Sequence, residues 1–139
     1  MRNSKPILLV EDDDVDAMTT KRALNEIKVT NELVHRVDGE DGLDYLRQDV
    51  AQQPCVILLD LNMPRMNGFE FLKYIKADET LKKIPVVVLT TSDADQNIVE
   101  SFEMGVAGYI TKPVDYKQFV EAIRTVNMYW TLSMLPNED

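Results

Sequence analysis

Val56-Ile57-Leu58-Leu59-Asp60-Leu61-Asn62-Met63-Pro64 carries the pattern on which the fold turns. A short apolar run containing two β-branched residues stops abruptly at an acid, and Pro64 and Asn67-Gly68 then mark a loop. The pattern recurs at Ile7-Leu8-Leu9-Val10, followed by Glu11-Asp12-Asp13, and at Val86-Val87-Val88-Leu89, followed by Thr90-Thr91-Ser92. Continuous apolar runs of this length predict strands buried on both faces, as in a parallel sheet covered by helices. Ala17, Thr20, Leu24 and Ile27 recur at helical spacing between two of these runs. Phe69, Leu72 and Ile75 do the same, and Ile98, Phe102 and Met104 less regularly, so helices are expected to cover the sheet. Weaker strand signals lie at Glu32 to Val37 and at Gly108-Tyr109-Ile110, and a short helix is expected from Asp41 to Arg47. A last helix is expected from Asp115, as its N-cap, to about Trp130, with Tyr116, Phe119, Val120, Ile123 and Val126 on one stripe. Alternating strands and helices with right-handed crossovers give an α/β fold: a doubly wound, five-stranded parallel sheet with helices on both faces.

Composition fits this. With 139 residues, 45% hydrophobic and 28% charged, one domain with one core is expected. The single Cys55 cannot form an internal disulfide and reads as a small buried hydrophobe. The apolar run after Pro6 is too short for a secretory leader, and no run approaches the ~20 residues of a membrane span, so a cytoplasmic protein is expected. A net charge of −9 would repel a phosphate backbone, which argues against nucleic acid as a partner.

In open parallel sheets the ligand site lies beyond the carboxyl ends of the strands. Glu11, Asp12, Asp60, Thr90 and Lys112 occupy those positions. Crowded carboxylates persist where a hard cation or an ammonium offsets them, and Mg²⁺ suits one or two carboxylates, a backbone carbonyl and exchangeable waters. Glu11 to Asp16 also admit a simpler reading as acids that cap a helix and complement its dipole, sufficient for Asp13, Asp14 and Asp16 and open for Glu11 and Asp12. Thr90 serves either as a strand-terminal turn hydroxyl or as a group facing the crevice. His35, the only histidine, reads as structural rather than as a phosphodonor.

Val10-Glu11-Asp12-Asp13, Leu58 to Pro64 with Asn67-Gly68, Thr90-Thr91-Ser92 and Gly105 to Pro113 together resemble the signature set of two-component response-regulator receiver domains. Lys83 to Ser92 and Ile110 to Asp115 are similar, more narrowly, to the stand-alone regulators of bacterial phytochrome kinases. The resemblance implies one receiver domain over residues 1–139, with a core of about 5–127 and a C-terminal extension of about 128–139. It implies Asp60 as phosphoacceptor from a sensor histidine kinase, with Mg²⁺ held by Glu11, Asp12, Asp60 and the backbone carbonyl of Asn62. It further implies Lys112 as the phosphate clamp, Thr90 as the switch hydroxyl, Tyr109 as the rotameric aromatic, and a cis peptide before Pro113. Self-phosphorylation and dephosphorylation would be the only catalysis, and a downstream protein would read the switch.

Two departures stand out: Glu11 replaces the more common Asp, and Leu61 follows Asp60, so no tryptophan adjoins the site. Tyr129 to Leu135 is apolar for a tail and either folds back or pairs with a second copy, the resemblance favouring a dimer through the last helix and the fourth-helix, fifth-strand face. Two rivals fit less well. An FMN protein needs donors where Glu11 to Asp14 stand, and a dehalogenase-type phosphatase needs an acid where Asn62 stands. A receiver-fold module that signals without phosphorylation is the remaining alternative.

Overall fold

The computed structural model describes residues 5–48, 53–63, 65–91, 94–112 and 115–132, with backbone alone for 129–132. Five strands alternate with five helices: β1 (Ile7–Val10), α1 (Asp14–Glu26), β2 (Leu33–Arg36), α2 (Gly39–Gln48), β3 (Val56–Leu59), α3 (Gly68–Ala77), β4 (Val86–Thr90), α4 (Asp95–Glu103), β5 (Gly108–Thr111) and α5 (Tyr116–Leu132). A short 3₁₀ turn, Leu81–Lys83, precedes β4. All strand pairs are parallel, in the order β2-β1-β3-β4-β5.

That order explains the uneven strength of the strand signals. β1, β3 and β4 are internal and buried at every residue, whereas β2 and β5 form the edges and are half-buried, with Thr111 at the end of β5 exposed. Alternate residues of each internal strand feed opposite cores. Ile7, Leu9, Leu58 and Leu89 pack with Ala23 and Leu24 of α1 and with Phe119, Val120 and Ile123 of α5. Leu8, Val10, Ile57, Leu59 and Val88 pack with Leu43 and Leu46 of α2 and with Phe71, Leu72 and Ile75 of α3. At 1.5–3 kcal/mol for each large apolar side chain buried, these two layers dominate the stability of the domain.

Local chemistry sets the helix starts. Asp13 caps α1 by accepting from the backbone N–H groups of Val15 and Asp16 at 2.8 and 3.0 Å. Asn67 and Glu70 form a reciprocal capping box at the start of α3. Asp115, just before α5, accepts from Lys117 N–H at 2.9 Å, as its expected cap role requires.

One helical stripe departs from expectation. In α4 the residue turned fully inward is Ser101, Ile98 is half-buried, and Phe102 and Val99 are exposed. The helix packs along β5, at the sheet edge, and covers too little of the sheet to bury a whole apolar face. Trp130 lies among the residues described by backbone alone, and α5 continues through it to Leu132. Among the described residues, no helix is long and apolar enough to cross a membrane.

Candidate functional site

The carboxyl ends of β1, β3, β4 and β5 bring Glu11, Asp60, Thr90 and Lys112 to one crevice. Register does most of this work: Val10 pairs with Leu59, so Glu11 and Asp60 are the next residues on adjacent strands. Asp60 N–H donates to the carbonyl of Val10 at 3.0 Å, and Glu11 N–H to that of Arg36 at 2.9 Å. Thr90 is the last residue of β4 rather than the first beyond it; it pairs with Thr111, and its carbonyl accepts from Lys112 N–H at 2.7 Å. His35, on β2, donates from Nε2 to the carbonyl of Glu11 at 2.7 Å, so the lone histidine buttresses the β1 terminus.

Carboxylate oxygens of Glu11, Asp12 and Asp60 lie within 4.8 Å of one another. Glu11 is 1% exposed and Asp60 7%, while Asp12 faces solvent. Burial pushes the Glu11 carboxyl up to about 7; the Lys112 ammonium opposes the rise and the charge of Asp60 adds to it. Lys112 is also desolvated, but its bond to Glu11 and the surrounding acids outweigh burial and hold its pKa above the usual lysine value. The ammonium donates to Glu11 and, at 3.0 Å, to Asp16. Three hard oxygen donors incompletely neutralised by one ammonium fit a small divalent cation better than a soft metal.

The loop after β3 is held from two sides. Asn62 N–H donates to Asp60 Oδ1 at 3.3 Å, and Asn62 Nδ2 to Thr90 Oγ1 at 3.4 Å, which links two strand ends through side chains. Arg65, in the left-handed region with φ of 61°, pairs with Asp38 and donates to it from Nε at 2.7 Å. Burial pushes Asp38 up, but the backbone N–H of Asp41 and the Arg65 guanidinium more than compensate and keep it ionised. On the other side, Gly68 N–H donates to Leu61 at 3.0 Å. A Cβ on Gly68 would lie 2.7 Å from both the Asp60 carbonyl oxygen and Leu61 Cα, so only glycine admits this close approach.

Glu11, Asp12, Asp60, Asn62, Thr90 and Lys112, all singled out in the sequence, therefore converge. Tyr109 is half-buried in β5 and packs against the α2/α3-side core. Pro113 and its peptide bond lie outside the described residues. Two interactions around the site were not expected. Asp16 does more than complement the helix dipole, since its carboxylate pairs with Lys112. The Arg65–Asp38 pair joins residues far apart in sequence, which no local periodicity marks.

The family model described as the response regulator receiver domain matches residues 7–124. The chain belongs to the response-regulator receiver family. The probable methanogenesis regulatory protein FilR2 of Methanothrix harundinacea is 37% identical over 127 residues, covering 89% of this chain and 82% of its own. Response regulator Rcp1 of Synechocystis is 36% identical over 130 residues, covering 91% and 88%. Its Mn²⁺-bound crystal structure superposes with a TM-score of 0.84 at 36% identity, covering 95% of this chain and 99% of that one. The phosphorylated cyanobacterial phytochrome response regulator RcpA superposes with a TM-score of 0.87 at 40% identity, covering 96% and 99%. The sheet order and helix placement described above are those of a flavodoxin-like receiver fold, as the sequence led one to expect.

Proposed function

We propose that this receiver takes a phosphoryl group on Asp60 from a phosphohistidine of a sensor histidine kinase and passes the change to a protein target. A carboxylate oxygen of Asp60 attacks phosphorus, the phosphorus–nitrogen bond of the donor breaks, and an acyl phosphate forms as the donor imidazole leaves. The observation that carries this reading is the grouping of Glu11, Asp12 and Asp60 oxygens within 4.8 Å at the strand ends, beside the Lys112 ammonium. Phosphoryl transfer leaves a protein little to do beyond in-line positioning and neutralisation of equatorial oxygens.

Glu11, Asp12, Asp60 and the backbone carbonyl of Asn62 would hold Mg²⁺, which when bound offsets the acid cluster and the charge of the incoming phosphoryl group. That Rcp1, of the same fold, is known in a Mn²⁺-bound form supports a divalent ion as ligand. Lys112 clamps the phosphoryl oxygens. Thr90, now bonded to Asn62, turns its hydroxyl toward them and draws its loop along, and Tyr109 changes rotamer in response. The similarity to RcpA supports a phytochrome-type kinase as donor. One receiver domain spans the chain, with α5 running on into the C-terminal extension. Exposed Val99, Phe102 and Met128 support association of two copies through α4, β5 and α5.

Intact mass after incubation with acetyl phosphate tests the reading. Wild type should gain one alkali-labile phosphoryl group that requires Mg²⁺, and Asp60→Asn none. Uptake by the variant at the wild-type rate would refute Asp60 as acceptor. Failure of wild type with acetyl phosphate and with a panel of kinases would instead point to a module that signals without phosphorylation.

A further inference from the structure

Among the described residues, Asp16 is the acid paired with Lys112 that the mechanism above leaves without a task. It stands in the first turn of α1, yet it does not cap the helix: Asp13 does so and takes the Asp16 N–H itself. Its own carboxylate instead reaches across to the end of β5, where Oδ2 lies 3.0 Å from Lys112 Nζ. The two partners differ sharply in environment. The Lys112 side chain is 10% exposed and that of Asp16 is 38% exposed. A cavity of about 260 Å³, bordered by Asp16, Thr20, Lys112 and Tyr116, opens beside the pair. The Asp16 carboxylate is therefore held mainly by the ammonium rather than wedged by packing.

Among the described residues, the hydrogen bonds of the Lys112 ammonium run to Glu11 and Asp16, while Asp60 acts on it through charge. The resting lysine thus bridges the end of β1, at Glu11, and the first turn of α1, at Asp16. We propose that Asp16 is a positioning residue that holds the Lys112 ammonium on the α1 side while Asp60 is unmodified, so that phosphoryl uptake has to draw the lysine away. The inference rests on the reading of Asp60 as phosphoacceptor. A phosphoryl group brings roughly −1.5 to −2 charges and three acceptor oxygens, enough to draw the ammonium from the half-exposed Asp16 carboxylate while Glu11 remains beside it. Until it arrives, the Asp16–Lys112 pair must loosen as the transition state forms, which slows uptake. Asp16 is then a brake on phosphorylation that acts through the lysine.

The test is the rate of phosphoryl uptake from acetyl phosphate by the full chain at saturating Mg²⁺, followed by intact mass over a series of donor concentrations. Asp16→Asn keeps the shape and removes the charge; at limiting donor it should speed uptake about threefold, the scale of a half-exposed ion pair. Asp16→Glu, which restores a carboxylate on a longer arm, should return the rate to within about twofold of wild type. In a Lys112→Ala background Asp16→Asn should have no effect. Equal acceleration in that background would mean that Asp16 merely repels the anionic donor, and the proposal would fall. So would an unchanged or slower rate for Asp16→Asn in the wild-type background. Should Asp16→Asn not fold, Asp16→Ser carries the same expectations. A wild type that takes no label from acetyl phosphate or kinase overturns the Asp60 reading and this one with it. A labelled wild type with an unresponsive Asp16→Asn overturns this one alone.

Discussion

Replacing Glu11 by Gln should make the metal-free protein more stable above neutral pH, although it removes half of a salt bridge. Glu11 is 1% exposed, and its carboxyl rises from an ordinary value of 4.5 to about 7 in the fold, chiefly through burial. An acid whose pKa is raised by folding binds more protons folded than unfolded between those two values, so stability falls as pH climbs through that window. Each tenfold change in proton affinity is worth 1.36 kcal/mol, which puts the full penalty at about 3 kcal/mol once Glu11 is ionised. That penalty is already net of the attraction to Lys112; the Gln amide keeps an oxygen to accept from the ammonium, and its NH₂ group, in a site built for a carboxyl, takes back part of the gain. A net stabilisation of about 1–2 kcal/mol is expected near pH 8 with a chelator present. At a typical urea slope of ~2 kcal/mol per M, the unfolding midpoint moves up by about 0.5–1 M. The assay is urea unfolding of both proteins at a series of pH values, with EDTA and with Mg²⁺. Wild type should lose stability between about pH 5 and pH 7 in EDTA and recover it with Mg²⁺, whereas the variant should show a flatter profile and a smaller response to the ion. A variant less stable than wild type in EDTA near pH 8, or a flat wild-type profile, would refute the idea that Glu11 is ionised at a cost.

Three further outcomes follow from the same geometry. Gly68→Ala should destabilise the fold by about 1–3 kcal/mol in urea unfolding and slow phosphoryl uptake as well, because its Cβ meets the backbone of Asp60 and Leu61 at 2.7 Å; wild-type values for both would show that the turn yields easily. Ser101→Ala should raise stability by about 1 kcal/mol, since the Ser101 hydroxyl is fully buried on the inner side of α4 and has no hydrogen-bond partner among the described residues; a loss of stability would mean the hydroxyl is satisfied in solution. Lys112→Ala should leave Mg²⁺ binding in place, measured by calorimetry, yet abolish the phosphorylation-dependent amide shifts of Thr90 and Tyr109 in NMR spectra. Collapse of the fold in this variant would assign Lys112 a structural role instead.

The ease of reading this chain varied with burial. β1, β3 and β4 are enclosed on both faces, and composition alone marks such strands. β2 and β5 lie at the edges, where half-buried residues such as His35, Arg36 and Tyr109 dilute the apolar run. Helical spacing located α4 but not its orientation, because periodicity finds a stripe and only the neighbouring strands decide how much of it is covered. Phe102 was placed on the covering face and stands exposed. Asp16 escaped notice for a different reason. Acids in the first turn of a helix are already accounted for by its dipole, so a second task leaves no trace in the residue type. The Arg65–Asp38 clamp depends on a left-handed backbone at Arg65, which the side chain does not announce.

The way the crevice is fastened separates what stays fixed from what moves in the proposed mechanism. The acid side is tied down by the backbone. Asp60 N–H bonds to Val10, Glu11 N–H to Arg36, and the Glu11 carbonyl to His35, while Gly68 packs directly under the Asp60 peptide. Arg65, in the β3–α3 loop, is tied to Asp38 before α2. The two groups asked to respond are held through side chains, Thr90 to Asn62 at 3.4 Å and Lys112 to Glu11 and, at 3.0 Å, to Asp16. Side-chain hydrogen bonds are worth about 1 kcal/mol each, or about 1.5–3 kcal/mol where a partner is charged, and exchange without disturbing strand register. A new dianion on Asp60 can therefore reorganise Thr90 and Lys112 while the carboxylates that received it keep their places. Signal transmission then follows from which bonds are made by the backbone and which by side chains, and that division predicts that substitutions at Asn62 and Asp16 alter rates far more than they alter the fold.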